Sequence, residues 1–328
     1  MSGGFQQSVS TLQAPAVEGD YASVNQNLYS VLAGPGGLVA GSLGVTIGRF
    51  AWATFPGDAN GAPATVNNFG FGPVTGFVAR RQQGLNTTYL SDASMFIPGG
   101  FGVTLHDSGD FWVKNSGASI AQNGMKAFAN LTTGAVTFAA AGTNPGGASD
   151  SGGAVVNTTL TLVGGVSGNV LTVASVSAGK PYPGAVLGSN ALGTVVQQLT
   201  NASGPITASN PADYGAGTYL LDVGEQSVAA GTTIGGNYGV YTVGTATGTF
   251  AVGMYLSGGT TLPTSPPPVL TLLLTGAGSD GSTFVTSGGA VAQTTHALVG
   301  NSAIETKWYA RSNGLQNEVV KISSTPLG

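Results

Sequence analysis

The sequence has no cysteine, so disulfides and thiolate metal sites are excluded, and stability must come from packing or from association with other chains. Charge is scarce as well, at 7% of residues against ~25% in an ordinary soluble domain. A free monomer with so few charges has little electrostatic defence against association, which implies a surface largely covered by partners or by copies of itself. The net charge is −4, and no basic cluster occurs beyond Arg80-Arg81. That argues against a nucleic-acid partner, which needs basic side chains to replace counterions. Long apolar runs are missing too, since the longest, residues 269–274, falls far short of the ~18 residues of a membrane span. The opening MSGGFQQSVSTLQ lacks the basic start and apolar core of a signal peptide.

Glycine is abundant, with 55 residues, and Thr, Ser, Ala and Val make up much of the remainder. This composition fits many short strands joined by tight turns. Residues 102–140 show the pattern most clearly: alternating runs at 111–114, 125–131 and 135–138 are separated by Asn115-Ser116-Gly117 and Thr132-Thr133-Gly134. Strand side chains alternate between two faces while glycine supplies the positive φ of turns, so the spacing predicts an antiparallel meander. Further strands are expected at 45–52 and 74–80. A closing hairpin is expected around Ser312-Asn313-Gly314, with Thr306, Trp308 and Ala310 on one face and Lys307, Tyr309 and Arg311 on the other.

After Gly142 the charged residues thin to Asp150, Lys180, Asp213, Asp222, Glu225 and Asp280 through residue 304, and a repeat emerges. LTVASVSAGKPYPGAVLGSN from Leu171 aligns with YTVGTATGTFAVGMYLSGGT from Tyr241, a period of roughly 70 residues that suits a small β unit used twice. The predicted fold class is all-β: an antiparallel base domain, barrel- or sandwich-like, with an inserted pair of small repeated β domains. Residues 1–30 read as an N-terminal arm that orders on a neighbouring subunit, anchored by Phe5, Val9, Leu12 and Val17. Residues 31–142 plus 303–328 form the base, and 143–302 the insertion, with repeats at about 165–236 and 237–298.

Motifs that could carry chemistry have simpler readings. Gly276-Ala277-Gly278-Ser279-Asp280-Gly281 matches GxGxxG, yet a β-like stretch follows it where a dinucleotide site needs a helix. His106-Asp107-Ser108-Gly109-Asp110 is expected to be a capped turn, because catalytic triads are assembled from distant positions. Asp213, Asp222 and Glu225 are the only clustered acids in the insertion and read as solvated loop residues in preference to a glycosidase pair. No enzyme activity, catalytic residue, metal or cofactor is expected.

GDFWVKN at 109–115, GMKAFANLTTGAVTFAAAG at 124–142 and ETKWYARSNGLQNEVVKISS at 305–324 resemble the structural cement, or head decoration, proteins of tailed bacteriophages. SVLAGPGGLVAG and TYLSDASMFIPGGFGVTL fit the same pattern. The resemblance implies a β-rich homotrimer on the outer capsid surface of the virion, partnered by the major capsid protein and tying capsomers together. The base would then face the shell and the insertion would point away from it. Arg80, Arg81, Lys114, Lys126, Lys307, Arg311 and Lys321, seven of the nine basic residues, all lie in the base. They read either as ordinary surface charge or as docking groups for acidic capsid residues. The expected contact residues are Phe5, Val9, Leu12, Arg80, Arg81, Trp112, Lys114, Trp308, Tyr309 and Arg311, with at least one ring of each pair Phe111/Trp112 and Trp308/Tyr309 in the core. A second reading makes the insertion an adhesion module for a host glycan or protein.

Overall fold

The computed structural model describes residues 16–23, 28–34, 36–55, 63–80, 95–188, 191–201, 210–222, 226–264, 267–287 and 292–325. The chain divides into two compact units, Met1–Thr143 with Glu305–Gly328, and Asn144–Ile304.

The first unit opens with β1 (Tyr29–Ser30), β2 (Leu38–Ala40), β3 (Val45–Thr46), β4 (Phe50–Thr54), β5 (Ala64–Asn67) and β6 (Gly76–Val78). It continues with β7 (Phe96–Ile97), β8 (Leu105–Ser108), β9 (Asp110–Lys114), β10 (Lys126–Asn130) and β11 (Val136–Ala139). The second unit holds β12 (Ala148–Gly168), β13 (Val170–Ala178), β14 (Val186–Leu187), β15 (Gly193–Asn201), β16 (Gly217–Leu221) and β17 (Gln226–Thr242). It ends with β18 (Ala246–Thr247), β19 (Tyr255–Gly258), β20 (Leu270–Thr275), β21 (Thr283–Thr286) and β22 (Gln293–Asn301). The chain then leads into β23 (Ala303–Ala310) and β24 (Val319–Ser323), which complete the first unit.

Six strands of the first unit run in the order β1-β8-β6-β4-β5-β2. The far edge returns to the near one, because Val103 N donates to Leu38 O and Ala40 N to Phe101 O just before β8, and the six strands close into a barrel. Leu38, Val45, Ile47, Val66, Val78, Ile97 and Leu105 form its core. The expected strand at 45–52 is broken into β3 and β4 by Gly48, whose φ of 77° lies where a side chain is disfavoured. A five-stranded sheet, β11-β10-β23-β24-β9, packs alongside. Phe50, Phe77, Phe111 and Trp308 join the two, with ring centroids 5.5 Å apart for Phe50–Phe77, 5.1 Å for Phe50–Trp308 and 4.6 Å for Phe77–Phe111.

Ten of the eleven strands of the second unit form two closed rings that share their longest members, and β18 pairs with the start of β12. Ring one runs β12-β13-β16-β15-β14-β17 and back to β12. Ring two uses the opening residues of β12, the end of β17, then β21, β20, β19 and β22. Each ring repeats one local device. Gly184 N donates to Val195 O and Val195 N to Ala185 O in ring one, as Gly253 N does to Leu270 O and Leu270 N to Met254 O in ring two. Leu160, Leu171, Leu187 and Tyr219 fill the first ring; Tyr241, Phe250, Leu256 and Phe284 fill the second.

Candidate functional site

The closing strands β23 and β24, with their sheet neighbours β10 and β9, gather several basic and aromatic residues of the first unit on one face. In the β24–β9 ladder Val320 pairs with Val113 and Ile322 with Phe111, all four fully buried. The residues between them therefore point outward: Lys321 opposite Trp112, Val319 opposite Lys114 and Ser323 opposite Asp110. In β23, Thr306, Trp308 and Ala310 are buried, while Lys307, Tyr309 and Arg311 lie on the outer side. Lys126 of β10 joins this face, with Nζ 3.9 Å from the Tyr309 ring centroid. Lys321 Nζ lies 4.9 Å from the ring of Trp112. Five of the nine basic residues, Lys114, Lys126, Lys307, Arg311 and Lys321, thus share one outer surface with two partly buried aromatic rings.

Two of these cations are matched within the chain. Lys307 sits 2.5 Å from Asp107, and Lys126 is 3.6 Å from Glu305 while donating to Thr306 O at 3.1 Å. Lys114, Arg311 and Lys321 have no ion pair among the described residues. Arg311 Nη2 donates to Thr325 O, whereas its Nη1 is buried without a hydrogen-bond partner. Beside it lies a cavity of about 210 Å³ lined by Asp110, Arg311, Lys321 and Ser323 among others.

Other expected contacts fall elsewhere. Phe5, Val9, Leu12 and Arg81 lie outside the described residues, as does Glu225. Trp308 is 1% exposed and is corrected from a contact residue to a core residue, because its ring is enclosed against Phe50. One ring of each expected pair, Phe111 and Trp308, is thus in the core. Arg80 pairs with Asp20 at 3.3 Å. Residues 19–22 do not reach out as an arm: Gly19 N donates to Trp112 O and Ala22 N to Asp110 O, so the open edge of this chain's own β9 takes them up.

The tempting motifs resolve into structure. His106 and Asp107 lie in β8 and Asp110 begins β9, so the expected turn is two strands joined at Gly109, with His106 fully buried and Asp107 pointing out to Lys307. Gly276–Gly281 forms the loop from β20 to β21, where Ser282 Oγ accepts from Gly278 N at 2.9 Å. Asp222 caps Thr194 N at 2.6 Å, and Asp213 accepts from Asn210 Nδ2 at 3.2 Å. Among the described residues, no group of three His, Asp or Glu could hold a metal ion.

Sequence reading missed Asn115 and Asp150. Both are buried polar residues that look like ordinary turn or loop residues in the sequence, and only their partners, far along the chain, mark them out.

No curated protein matches this chain. Residues 5–178, more than half of the 328, match the family described as XM1 gp53 minor capsid protein, and the match runs from the first unit into the second as far as the end of β13. The chain therefore belongs to the XM1 gp53 minor capsid protein family and is a structural protein of a bacteriophage virion.

Proposed function

We propose that this minor capsid protein is a decoration, or cement, protein. Its basic and aromatic sheet face docks on acidic patches of the major capsid protein at the outer surface of the head, and three copies act together across neighbouring capsomers. The observation that carries this reading is the concentration of Lys114, Arg311 and Lys321, none in an ion pair among the described residues, on a chain whose net charge is −4. Arg311 is one of the three, and arginine suits bidentate carboxylate contacts. An interface of ordinary size, ~800 Å² per partner, supplies modest net affinity. Linking three such contacts makes the later ones effectively intramolecular and holds the shell far better than one.

Co-sedimentation with undecorated heads tests it. The wild-type chain should bind and should weaken as NaCl is raised. The combined Lys114→Glu, Arg311→Glu and Lys321→Glu variant should bind at least ~10-fold more weakly at low salt, because like charges then meet the acidic shell. Equal binding by both proteins would remove this face from the mechanism, and failure of the wild type to bind heads would end the decoration reading. Light scattering tests the trimer, which a monomeric mass at the concentrations used for binding would contradict.

A further inference from the structure

The barrel of the first unit carries two adjoining turns that the docking reading does not use. One is closed by Gly44 N donating to Gly41 O at 2.8 Å, the other by Phe101 N donating to Pro98 O at 3.3 Å. They lie side by side, because Gly100 N donates to Ala40 O, Ala40 N donates to Phe101 O, and Gly99 has no room for a side chain against Gly41 and Ser42. Each turn holds a large apolar residue in water, Leu43 at 71% exposure and Phe101 at 45%. A third belongs to β7, where Ile97 pairs with Val45 and Phe96 with Thr46. Val45 and Ile97 enter the barrel core, so strand alternation turns Phe96 outward, 42% exposed. Its ring lies where a side chain on Gly44 would stand, and Gly44 has a φ of 72°, so glycine is what lets the ring settle beside Leu43. Leu32, at 92% the most exposed large apolar residue among those described, follows Val31, whose N donates to Leu105 O in the run that Phe101 begins.

These four side chains leave ~500 Å² of apolar surface in water, taking ~200 Å² for each when fully free. That is near the top of the ~300–600 Å² range for the largest patch on a monomer, and more than half of the ~800 Å² that one partner buries in an interface of standard size. No charged residue occurs at 21–48 or 95–105, the segments that supply the patch. An acidic or basic partner would find no counter-charge here. A further copy of this chain brings the same uncharged surface without like-charge repulsion, and interfaces between identical subunits are the more apolar class. The basic face cannot meet itself in this way, since Lys114, Arg311 and Lys321 would oppose their own counterparts.

We infer that the surface of Leu32, Leu43, Phe96 and Phe101 is where copies of this chain meet, the patches of neighbouring copies facing one another. A contact made there consumes none of the three basic residues, so every copy keeps them for the shell. The inference rests on the self-association in the reading above and adds which surface makes it.

Light scattering and cross-linking of the full chain provide the test. The wild type should show the mass of an assembled oligomer, and Leu43→Glu with Phe101→Glu should show that of a monomer. Self-association should fall at least ~100-fold, because each copy would bring two carboxylates into an apolar contact. Both positions are exposed, and near-UV circular dichroism checks that the variant is folded. Because the chain has no cysteine, Leu43→Cys supplies a single thiol. A short bismaleimide should join copies of Leu43→Cys and leave Lys114→Cys, on the basic face, unjoined. The combined Lys114→Glu, Arg311→Glu and Lys321→Glu variant should stay assembled. A monomeric wild type would overturn the trimer reading and this inference together. An assembled wild type whose Leu43→Glu, Phe101→Glu variant keeps the same mass, an uncross-linked Leu43→Cys, or dissociation of the basic-face variant would overturn this inference alone.

Discussion

Asn115 is fully buried and spends its whole amide on backbone groups both near and far along the chain. Nδ2 donates to Ser119 O at 2.9 Å and to Gly314 O and Leu315 O at 3.3 Å, and Oδ1 accepts from Gly117 N at 3.1 Å. This one side chain ties the end of β9 to the loop before β24, some 200 residues along the chain. Asn115→Leu should strand those carbonyls and destabilise the first unit by ~2–3 kcal/mol, read from urea unfolding; an unchanged midpoint would show that water replaces the amide. Asp150 does comparable work in the second unit. Its carboxylate accepts from Tyr241 Oη at 2.7 Å, Gly244 N at 2.8 Å, and Thr245 N and Gly152 N at 2.9 Å. Asp150→Asn preserves shape but turns one acceptor into a donor facing N–H groups, and a loss of ~2–4 kcal/mol is expected from the same measurement.

The loop between β23 and β24 shows how an element departs from its local cue. Asn-Gly is a strong hairpin signal, yet Ser312-Asn313-Gly314 does not make the turn. Gly314 exchanges backbone bonds with Ala121, and Asn313 Oδ1 accepts from Asn123 N at 2.9 Å. The chain reverses later, where Glu318 N donates to Leu315 O and Asn317 takes φ 67°. Tertiary pairing with residues 121–123 has outbid the dipeptide preference. Asn317→Gly should therefore be neutral, while Asn317→Val should cost ~1–2 kcal/mol in unfolding experiments, because a β-branched residue is strained in the left-handed region.

Ring one carries a second element-scale signature in its tyrosines. Burial, reinforced by Tyr238 and Tyr214, pushes Tyr182 up to about 12. Burial does the same to Tyr219, also to about 12, against the opposing hydrogen bond with Gly215. Both hold their protons more tightly folded than unfolded, where a tyrosine titrates near ~10. Their contribution is fully present below pH ~10 and is lost as pH rises toward ~12. Unfolding of the second unit followed from pH 9 to 12 should show a falling midpoint, and Tyr182→Phe should flatten that fall.

For the whole molecule, the junction of the two units matters most. Gly142 N donates to Glu305 Oε2 at 2.7 Å in the first unit, so the chain leaves and re-enters it at adjoining points. In the second unit Asn144 Nδ2 donates to Gly300 O at 3.2 Å and Ser302 Oγ to Pro145 O at 2.9 Å, bringing its two ends together as well. Such an arrangement suits an insertion, since closing a loop costs little more as it lengthens. Replacing 144–304 by a short Gly-Ser linker should leave a folded first unit that still binds heads. Calorimetry of the full chain should then resolve two transitions, and loss of all structure on excision would show that the units depend on one another.

The alternation at 111–114 and 135–138, the abundance of glycine and the lack of any helical period determined from sequence alone that this is an all-β chain, because side-chain alternation and turn chemistry are local properties. That Lys307, Tyr309 and Arg311 share one face was equally legible, since a strand has only two faces, but which of the two points outward was not. Other features were decided by tertiary structure: Trp308 entering an aromatic core with Phe50, residues 19–22 covering β9, and β12 and β17 each serving two rings. Those outcomes depend on which distant strand supplies the missing hydrogen bonds and apolar neighbours, and no local pattern encodes the identity of that partner.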